Sequence, residues 1–436
     1  MSEIKIAWGE SFLQAELPPQ WRLNGVMEPS PRPGVADPAA EARRALQQPV
    51  GSPKLSEMAR PGMKIAVVID DGSRPTPVHL ILPEVIAELE RGGAQRGQIT
   101  LVPALGVHRP MTNEEVAQRV GPGWLPGLAV EHHDIDTPER LANLGTTSRG
   151  TPVLINRVVA EADLVVSIGC IEPHIIASFG GGYKNIIPGV AGRATIAHNH
   201  ALNCRPDTFN MVGQPIENNP MRLDLEEGAS MLKPPVFIVN AVLNDRQKVV
   251  EIVTGHPIKA HRAGVAISAS IYGVKIPRLA DVVITASHPM DQDLRQGVKA
   301  LANTVRAMKP GGMIITLVRA EEGVGVFGLA NKKLPVGRKT LKAISPLLLP
   351  LVPKLKLSGM GEEDRFFLYF ALQAMRRGDL MLYGPTIPQQ AQDNLVFVQF
   401  TGSLDAALEK ARARFPGAAD VVVFPYGGST YPILPD

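Results

Sequence analysis

The stretch MKIAVVIDDGSRPTPVHLILPEVIAELE, residues 63–90, decides the fold of this 436-residue chain. It opens with a short apolar run, residues 63–69, of the kind found in strands that are buried on both faces. A polar loop follows, and residues 78–90 then carry apolar side chains at helical spacing. A strand, a loop and a helix in this order predict one βα unit of a parallel sheet.

The same alternation of apolar runs and helical patterns continues along the chain. Further strands are predicted at 98–105, 128–131, 153–159, 163–168, 236–242, 248–254, 281–286, 312–318, 395–400 and 421–424. Further helices are predicted at 294–308, 363–377 and 404–415. Thr112 and Glu115 form a capping box that predicts the start of another helix.

This order of elements predicts the fold class and the domains. We expect an α/β protein of two domains, each with a mostly parallel sheet flanked by helices, with the active site in the cleft between them. The N-terminal domain is predicted over residues 1–275 and the C-terminal domain over residues 276–436. Whether the last residues pack back on the N-terminal domain is left open.

Composition and charge exclude several classes of protein. Lys and Arg number 45 against 42 Asp and Glu, which gives a formal net charge of +3, and aromatic residues make up 5%. These values provide neither the basic surface nor the stacking platform that binds nucleic acid. The apolar run at 345–357 contains three prolines and two lysines, so we expect no membrane span there. With two cysteines and no secretory signal at the start, a cytoplasmic protein is predicted.

The loop DDGSRPTP, residues 70–77, is the first candidate site. Ligands of open α/β sheets bind beyond the carboxyl ends of the strands, where this loop is expected to lie. Asp71, Ser73 and Thr76 suit hydroxyl or phosphate groups, and Arg74 offers a guanidinium fork for a carboxylate. The alternative interpretation is a turn that proline stiffens and that caps the next helix.

The loop GVHRPMT, residues 106–112, is predicted to bring His108 to the same edge of the sheet. A histidine there suits acid/base chemistry near neutral pH. The alternative is a solvated loop histidine without a chemical role.

The segment GCIEPHIIASFGGGYKNIIPGVAG, residues 169–192, is the densest cluster of candidate residues, and IAHNH with His200 follows it. Its consecutive glycines, which include Gly181 and Gly182, allow a backbone to approach a ligand closely. Lys184 suits binding of phosphate or attack on an activated carbonyl, although the GK[ST] of a P-loop is missing.

The segment DLRQGVKAL, residues 293–301, is the candidate site of the second domain. Gln296 and Lys299 are three residues apart and therefore share a helix face, with Arg295 one turn from Lys299. This spacing indicates an anion clamp, and the alternative is an ordinary exposed helix.

Two other patterns are not assigned to a site. GVGVFG, residues 323–328, matches a dinucleotide-binding fingerprint, but it does not directly follow a strand and no acidic residue lies about 20 residues further on. His132, His133 and Asp134 suggest a metal site, but neighbouring side chains at a strand end point to opposite faces, so a solvated strand end is favoured here.

Together, DDGSRPTP, GVHRP, EPHIIASFGGGYKNIIPG, HNH and QGVK resemble in order and spacing the motifs of the nickel-pincer lactate racemase family. The resemblance covers nearly the whole chain. It implies a racemase that inverts C2 of a small 2-hydroxy acid by reversible hydride transfer through a 2-keto acid. It also implies a nickel-pincer nucleotide, which is a pyridinium-3,5-bisthiocarboxylic acid mononucleotide that holds nickel, and partners that synthesise this cofactor.

The resemblance further implies roles for individual residues. His108 and His174 would be paired acid/base residues, and His200 would be the protein ligand of nickel. Lys184 would contact the cofactor, with covalent attachment left open. The implied substrate-binding residues are Arg74, Gln296 and Lys299. The implied cofactor-binding residues are Asp71, Ser73, Thr76, Gly181, Gly182 and Lys184.

Two departures from the family pattern favour another substrate than lactate. The first departure is Arg295, directly before Gln296, because the lactate-specific members of the family that this chain resembles have an aromatic residue there. The second departure is that no tryptophan follows Trp124. An added guanidinium suits a second carboxylate, so we expect Arg295 to bind a dicarboxylic 2-hydroxy acid such as malate. Two alternatives stay open: a sugar-acid C2 epimerase with the same cofactor, and a non-catalytic nucleotide-binding protein.

Overall fold

A computed structural model of the chain describes residues 2–325, 327–354 and 362–435. Its strands are β1 Glu3–Trp8, β2 Ser11–Glu16, β3 Trp21–Val26, β4 Ile65–Asp70, β5 Ile99–Ala104, β6 Ala129–Val130, β7 Leu141–Thr146, β8 Pro152–Asn156, β9 Leu164–Cys170, β10 Pro173–His174, β11 Ser178–Phe179, β12 Val236–Leu243, β13 Val249–Gly255, β14 Gly273–Lys275, β15 Ala280–Ala286, β16 Met308–Leu317, β17 Gly378–Tyr383, β18 Gln399–Phe400, β19 Ala419–Phe424 and β20 Tyr431–Ile433. Its α-helices are α1 Pro38–Gln47, α2 Leu55–Met58, α3 Val78–Arg91, α4 Asn113–Val120, α5 Arg157–Ala160, α6 Arg193–Ala201, α7 Pro220–Ala229, α8 Lys259–Tyr272, α9 Leu294–Gly297, α10 Lys299–Thr304, α11 Arg338–Leu348, α12 Glu362–Arg377, α13 Gln389–Asn394 and α14 Leu404–Arg414. Both large sheets are mainly parallel, which confirms the predicted α/β fold. Among the described residues, no helix has the length and apolar character needed to cross a membrane.

The first of two compact units comprises Pro31–Leu202 and Pro215–Ser270. Its six-stranded sheet has the order β13-β12-β9-β4-β5-β6, in which β13 runs antiparallel to β12 and the other pairs are parallel. Every residue of β4 and β9 is buried, as expected for strands covered on both faces. The helix predicted at 78–90 is α3, which buries Ile81 and Val85 one turn apart.

The strand order of this sheet changes direction between β4 and β9. The chain continues from β4 to β5 on one side, whereas β9 pairs with the other side of β4. Ligands of open α/β sheets bind at such a switch point, beyond the carboxyl ends of the strands. The loops that leave β4 after Asp70 and β9 after Cys170 therefore lie where a ligand site is expected.

The second unit contains the described residues up to Ser30, Asn203–Gln214, and the described residues from Ile271 onward. Its six-stranded sheet is parallel and has the order β18-β17-β16-β15-β19-β3. The switch point of this sheet lies between β15 and β19, at the loops that follow Ala286 and Phe424.

The helix predicted at 294–308 is interrupted. It is divided into α9, which ends at Gly297, and α10, which begins at Lys299. Glycine is a poor helix former, and a Cβ at Gly297 would lie only 2.3 Å from Cγ1 of Val318. Val298 between the two helices keeps right-handed helical angles, so the chain direction changes little at the break.

Candidate active site

The carboxylate of Asp71 and the imidazole of His108 form a hydrogen-bonded pair beyond the ends of β4 and β5. Oδ2 of Asp71 lies 2.5 Å from Nδ1 of His108, and Oδ1 accepts hydrogen bonds from the backbone N–H (3.1 Å) and the hydroxyl (2.6 Å) of Ser73. Burial raises the pKa of Asp71, but the hydrogen bonds from His108 and Ser73 outweigh it and hold that pKa well below its ordinary value. Three residues that the sequence analysis singled out thus lie together around an ionised carboxylate.

Asp70, the last residue of β4, is a buried carboxylate that the sequence analysis did not assign to the site. Its Oδ2 accepts a hydrogen bond from the hydroxyl of Thr76, and its Oδ1 pairs with the guanidinium of Arg119. Nε of Arg119 also donates to the backbone oxygen of Asp70 over 3.2 Å. Burial raises the pKa of Asp70 to about 6, against the opposing effect of Arg119. Thr76 therefore ties the two ends of the loop 70–77 together.

Arg74 links the loop after β4 to the loop after β9. Its Nη1 donates to Oε1 of Glu172 over 2.6 Å, and the two side chains are only 21% and 16% exposed. Burial lowers the pKa of Arg74, but the carboxylate of Glu172 outweighs it, so the guanidinium stays charged. Glu172 was not predicted as a site residue. The available signal was its position inside the EPH motif, two residues before His174.

His174 lies in the short hairpin of β10 and β11. Its Nδ1 accepts hydrogen bonds from the backbone N–H groups of Ile176 (3.3 Å) and Ala177 (3.1 Å). Ser178, which pairs with His174 across the hairpin, has a φ of +62°, a left-handed conformation that is uncommon outside glycine. Asn219 is buried and donates from Nδ2 to the backbone oxygen of Ile176 (2.8 Å) and the hydroxyl of Ser178 (3.0 Å). The hydrogen bonds of Asn219 thus hold the hairpin, and its backbone N–H groups orient the imidazole of His174.

Gly181 and Gly182 are buried and have φ values of +73° and +62°. A Cβ at Gly182 would lie 2.5 Å from Nη2 of Arg222, and a Cβ at Gly181 would lie 2.8 Å from Oδ1 of Asn240. The same Oδ1 accepts the backbone N–H of Gly182 over 2.8 Å. Glycine is required at both positions because of the backbone angles and because the protein's own groups are so close. Lys184 follows in a short 3-10 turn and is half-buried.

A buried network holds the carbonyl groups of this glycine loop. Nη1 of Arg222 donates to the carbonyl oxygens just before and just after Gly180, each over 3.2 Å, and Nε2 of His261 donates to that of Gly180 over 2.8 Å. Glu226 pairs with Nε of Arg222 at 2.7 Å. Burial, together with cationic neighbours, lowers the pKa of His261 well below its ordinary value, so this imidazole is neutral. No local pattern in the sequence indicates this network, because its members lie on α7 and α8, far along the chain from the loop.

Helix α6 carries His198 and His200 on different faces. Nδ1 of His200 lies 2.9 Å from the backbone oxygen of Ile196, and an oxygen that only accepts requires the hydrogen on Nδ1. In the neutral ring, Nε2 then carries the lone pair. Nδ1 of His198 lies 2.8 Å from the hydroxyl of Thr151. Residues two apart on a helix are separated by about 200°, so the two imidazoles do not share a site. The part of the chain that the structure describes contains no group of three or more His, Cys, Asp or Glu side chains that could hold a metal.

The predicted substrate-binding residues of the second unit lie on α9 and at the start of α10. Arg295, Gln296 and Lys299 are all half-buried. Asp293 caps α9 by accepting the backbone N–H of Gln296 over 2.7 Å. Because the break at Val298 keeps helical angles, Gln296 and Lys299 remain about one turn apart.

The loop before α9 contains a histidine that the sequence analysis left unassigned. Nδ1 of His288 lies 2.8 Å from Oδ2 of Asp291, and the hydroxyl of Ser287 donates to Oδ1 of the same carboxylate over 2.6 Å. The imidazole also meets the ring of Tyr426 edge-on, with centroids 5.5 Å apart. A polar cluster thus lies at the switch point of the second sheet as well.

The residues of the His-His-Asp pattern and of the GVGVFG pattern contact other groups of the protein. His133 is buried, and its Nε2 hydrogen-bonds a backbone oxygen at 3.1 Å, while His132 hydrogen-bonds an asparagine on α4. In the GVGVFG pattern, a Cβ at Gly325 would lie 2.3 Å from Oδ2 of Asp293. Val326 of the same pattern lies outside the described residues.

The chain is similar to proteins of known activity. Residues 8–210 match the family model described as the lactate racemase N-terminal domain. A lactate racemase of Thermoanaerobacterium thermosaccharolyticum is 31% identical over 332 residues, which cover 75% of this chain and 77% of that protein. A lactate racemase of Lactiplantibacillus plantarum is 29% identical over 390 residues, which cover 88% of each chain.

Solved structures are similar to the chain over almost its whole length. The lactate racemase apoprotein from T. thermosaccharolyticum matches with a TM-score of 0.84 and 26% identity, over 99% of this chain and 100% of that one. A protein from Thermotoga maritima matches with a TM-score of 0.65 and 18% identity, over 91% of this chain and 98% of that one, which is a likeness of fold alone.

Proposed function

This chain belongs to the lactate racemase family and is an isomerase, and on that premise we propose that it inverts C2 of a small 2-hydroxy carboxylic acid through the 2-keto acid. One observation carries the proposal: the motif loops that follow β4, β5 and β9 are joined by side-chain contacts. Asp71 pairs with His108, and Arg74 joins Glu172 of the loop that also holds His174. Inversion of a hydroxy acid needs such acid/base groups next to a group that binds a carboxylate.

We assign the exchange of the hydroxyl proton to His108 and His174. When the carboxylate and the C2 hydrogen are held in fixed places, the two enantiomers present their hydroxyl groups on opposite sides. One histidine therefore serves each enantiomer, as proton acceptor in one direction and as proton donor in the other.

We further propose that the first unit binds the nickel-pincer nucleotide. When bound, this group supplies an electrophilic ring carbon that accepts the C2 hydride and returns it to the opposite face. His200 fits a nickel ligand, because metal-binding histidines commonly donate the other ring N–H to a carbonyl, as its Nδ1 does, and imidazole suits nickel. The proposed cofactor-binding residues are Asp71, Ser73, Thr76, Gly181, Gly182 and Lys184. The proposed partners are proteins that synthesise the cofactor, and the proposed location is the cytoplasm.

The substrate carboxylate is assigned to Arg74, Gln296 and Lys299. A guanidinium has five N–H donors in a rigid fork, so the bond from Nη1 of Arg74 to Glu172 is compatible with a second carboxylate partner. Arg295 next to Gln296 adds a further cation, which favours a dicarboxylic 2-hydroxy acid such as malate over lactate.

Pure enantiomers of malate, lactate and other 2-hydroxy acids, separated by chiral chromatography after incubation with cofactor-loaded protein, test the substrate. We expect malate to racemise faster than lactate. Arg295→Tyr removes one charge-assisted hydrogen bond, worth about 1.5–3 kcal/mol, and should shift the kcat/KM ratio at least ten-fold towards lactate. The matched control is Arg278→Tyr at an exposed position of the same unit, which should leave the ratio unchanged. Faster turnover of lactate, with a ratio that Arg295→Tyr does not move, would refute the malate assignment.

A further inference from the structure

We propose that the two histidines assigned to proton exchange are held in opposite tautomers and are not equivalent. His108 carries its hydrogen on Nδ1 and accepts a proton at Nε2, whereas His174 carries its hydrogen on Nε2 and donates it. Asp71 is the positioning residue that sets the tautomer of His108. The roles of the two histidines rest on the proposed function, but their tautomers do not.

The tautomer of His108 follows from the groups around Asp71. An ionised carboxylate only accepts hydrogen bonds, so the 2.5 Å contact between its Oδ2 and Nδ1 of His108 requires the hydrogen on Nδ1. Both donors of Ser73 bind the other oxygen, which restricts rotation of the carboxylate. The low pKa of Asp71 and the nearby charge of Arg74 keep this acceptor ionised. Asp71 therefore sets the tautomer and the orientation of His108, as the aspartate of a serine-protease triad does for its histidine.

The tautomer of His174 follows from two backbone donors. The N–H groups of Ile176 and Ala177 both point at Nδ1, over 3.3 and 3.1 Å. A hydrogen on Nδ1 would point at these two N–H groups, and Nδ1 could then accept neither of the two hydrogen bonds. The bonds from Asn219 to Ile176 and Ser178 hold the hairpin, so the donors do not turn away without breaking buried contacts. Nδ1 therefore carries the lone pair, and Nε2 carries the hydrogen.

This arrangement prepares the resting protein for one direction of the reaction. For the enantiomer whose hydroxyl group faces His108, Nε2 of His108 would take the hydroxyl proton, and the ring would become an imidazolium. When the opposite enantiomer forms, Nε2 of His174 would give its hydrogen to the substrate oxygen, and the ring would become an imidazolate. Solvent water then carries one proton from His108 to His174 and restores the resting pair. A neutral imidazole polarises the substrate carbonyl by hydrogen bonding in another isomerase, so the ring needs no positive charge to act on a substrate oxygen.

The asymmetry has a kinetic consequence. Enantiomers have equal free energies, so kcat/KM is the same in both directions of any racemisation. The difference between the two histidines must therefore appear in kcat and KM separately, with the direction that has the larger kcat also having the larger KM.

The tautomers are measured directly by long-range 1H–15N NMR of the imidazole rings in the full chain, without cofactor or substrate. The chain has 10 histidines, so His108→Gln and His174→Gln spectra assign the two signals. We expect the hydrogen on Nδ1 in His108 and on Nε2 in His174. The same tautomer in both rings would overturn the inference, whatever the activity of the protein.

Asp71→Asn tests whether Asp71 positions His108. The amide can donate to Nδ1, so the His108 signals should change to the other tautomer while those of His174 stay in place. Turnover of the cofactor-loaded protein should fall at least ten-fold, since the equivalent change beside the histidine of serine proteases costs about 10⁴ in kcat through the wrong tautomer. Asp71→Glu keeps a carboxylate and should restore the Nδ1 hydrogen and part of the turnover. An unchanged His108 tautomer in Asp71→Asn, or wild-type turnover, would contradict the role of Asp71.

The two experiments separate this inference from the proposed function. If the wild-type protein racemises no 2-hydroxy acid but the tautomers are opposite, the proposed function fails and the tautomer assignment stands. If it racemises its substrate with equal tautomers, the function stands and the inference fails.

Discussion

His108→Asn is expected to lower racemase turnover by about 10²–10⁴, the contribution that a positioned acid/base group makes to proton transfer. The amide of asparagine can replace Nδ1 as a hydrogen-bond donor to Asp71, so the buried carboxylate keeps a partner, but it does not take up a proton. We therefore expect an unchanged midpoint of urea unfolding together with the loss of turnover, measured from one pure enantiomer by chiral chromatography.

The matched control for this loss is His132→Asn. His132 belongs to the same unit and hydrogen-bonds Asn113 on α4 at 3.0 Å, and it is not a member of the pair of Asp71 and His108. It should leave turnover within two-fold of the wild type. A comparable loss in both variants would mean that any histidine replacement damages the unit, and full turnover in His108→Asn would remove His108 from the proton exchange.

His200→Ala is expected to abolish retention of nickel and, with it, the racemase activity. Removal of an outer-shell partner of a metal-binding histidine typically costs 10–100-fold in metal affinity, and removal of the ligand itself should cost more. The measurement is nickel per chain after dialysis of protein that was produced together with the cofactor-synthesis proteins.

His198→Ala is the control for His200→Ala on the same helix. Nδ1 of His198 bonds the hydroxyl of Thr151, and the two imidazoles lie on different faces of α6. We expect wild-type nickel content in His198→Ala. Equal nickel content in both variants would exclude His200 as the ligand.

The central βα unit and its loop could be predicted because their signals are local. The apolar run at 63–69 contains most of the buried strand β4. The helix predicted at 78–90 corresponds to α3, which ends one residue later than predicted. The capping box of Thr112 and Glu115 opens α4 as predicted. Residue spacing also placed Asp71 and His108 after neighbouring strands, and parallel strands bring their carboxyl ends to one edge of a sheet.

Contacts between distant segments could not be predicted from local patterns. β3 and β19 pair although they lie near opposite ends of the sequence. Nothing in the sequence around Trp21–Val26 indicates that β19 is its partner strand. Asp70 and Arg119 form an ion pair, but their charges alone resemble those of ordinary surface residues. Arg222 and His261 reach the glycine loop from two helices that follow it much later in the chain. Burial of these polar groups depends on packing, which single-sequence patterns do not encode.

The most direct test of the central claim is the fate of the C2 hydrogen during inversion in D2O. One pure enantiomer of malate or lactate is incubated with cofactor-loaded protein, and the product is separated by chiral chromatography and examined by mass spectrometry. Hydride transfer carries the original hydrogen, so we predict approach to equal amounts of both enantiomers with protium retained at C2. Deuterium at C2 of the inverted product, or no inversion of any 2-hydroxy acid, would contradict the account.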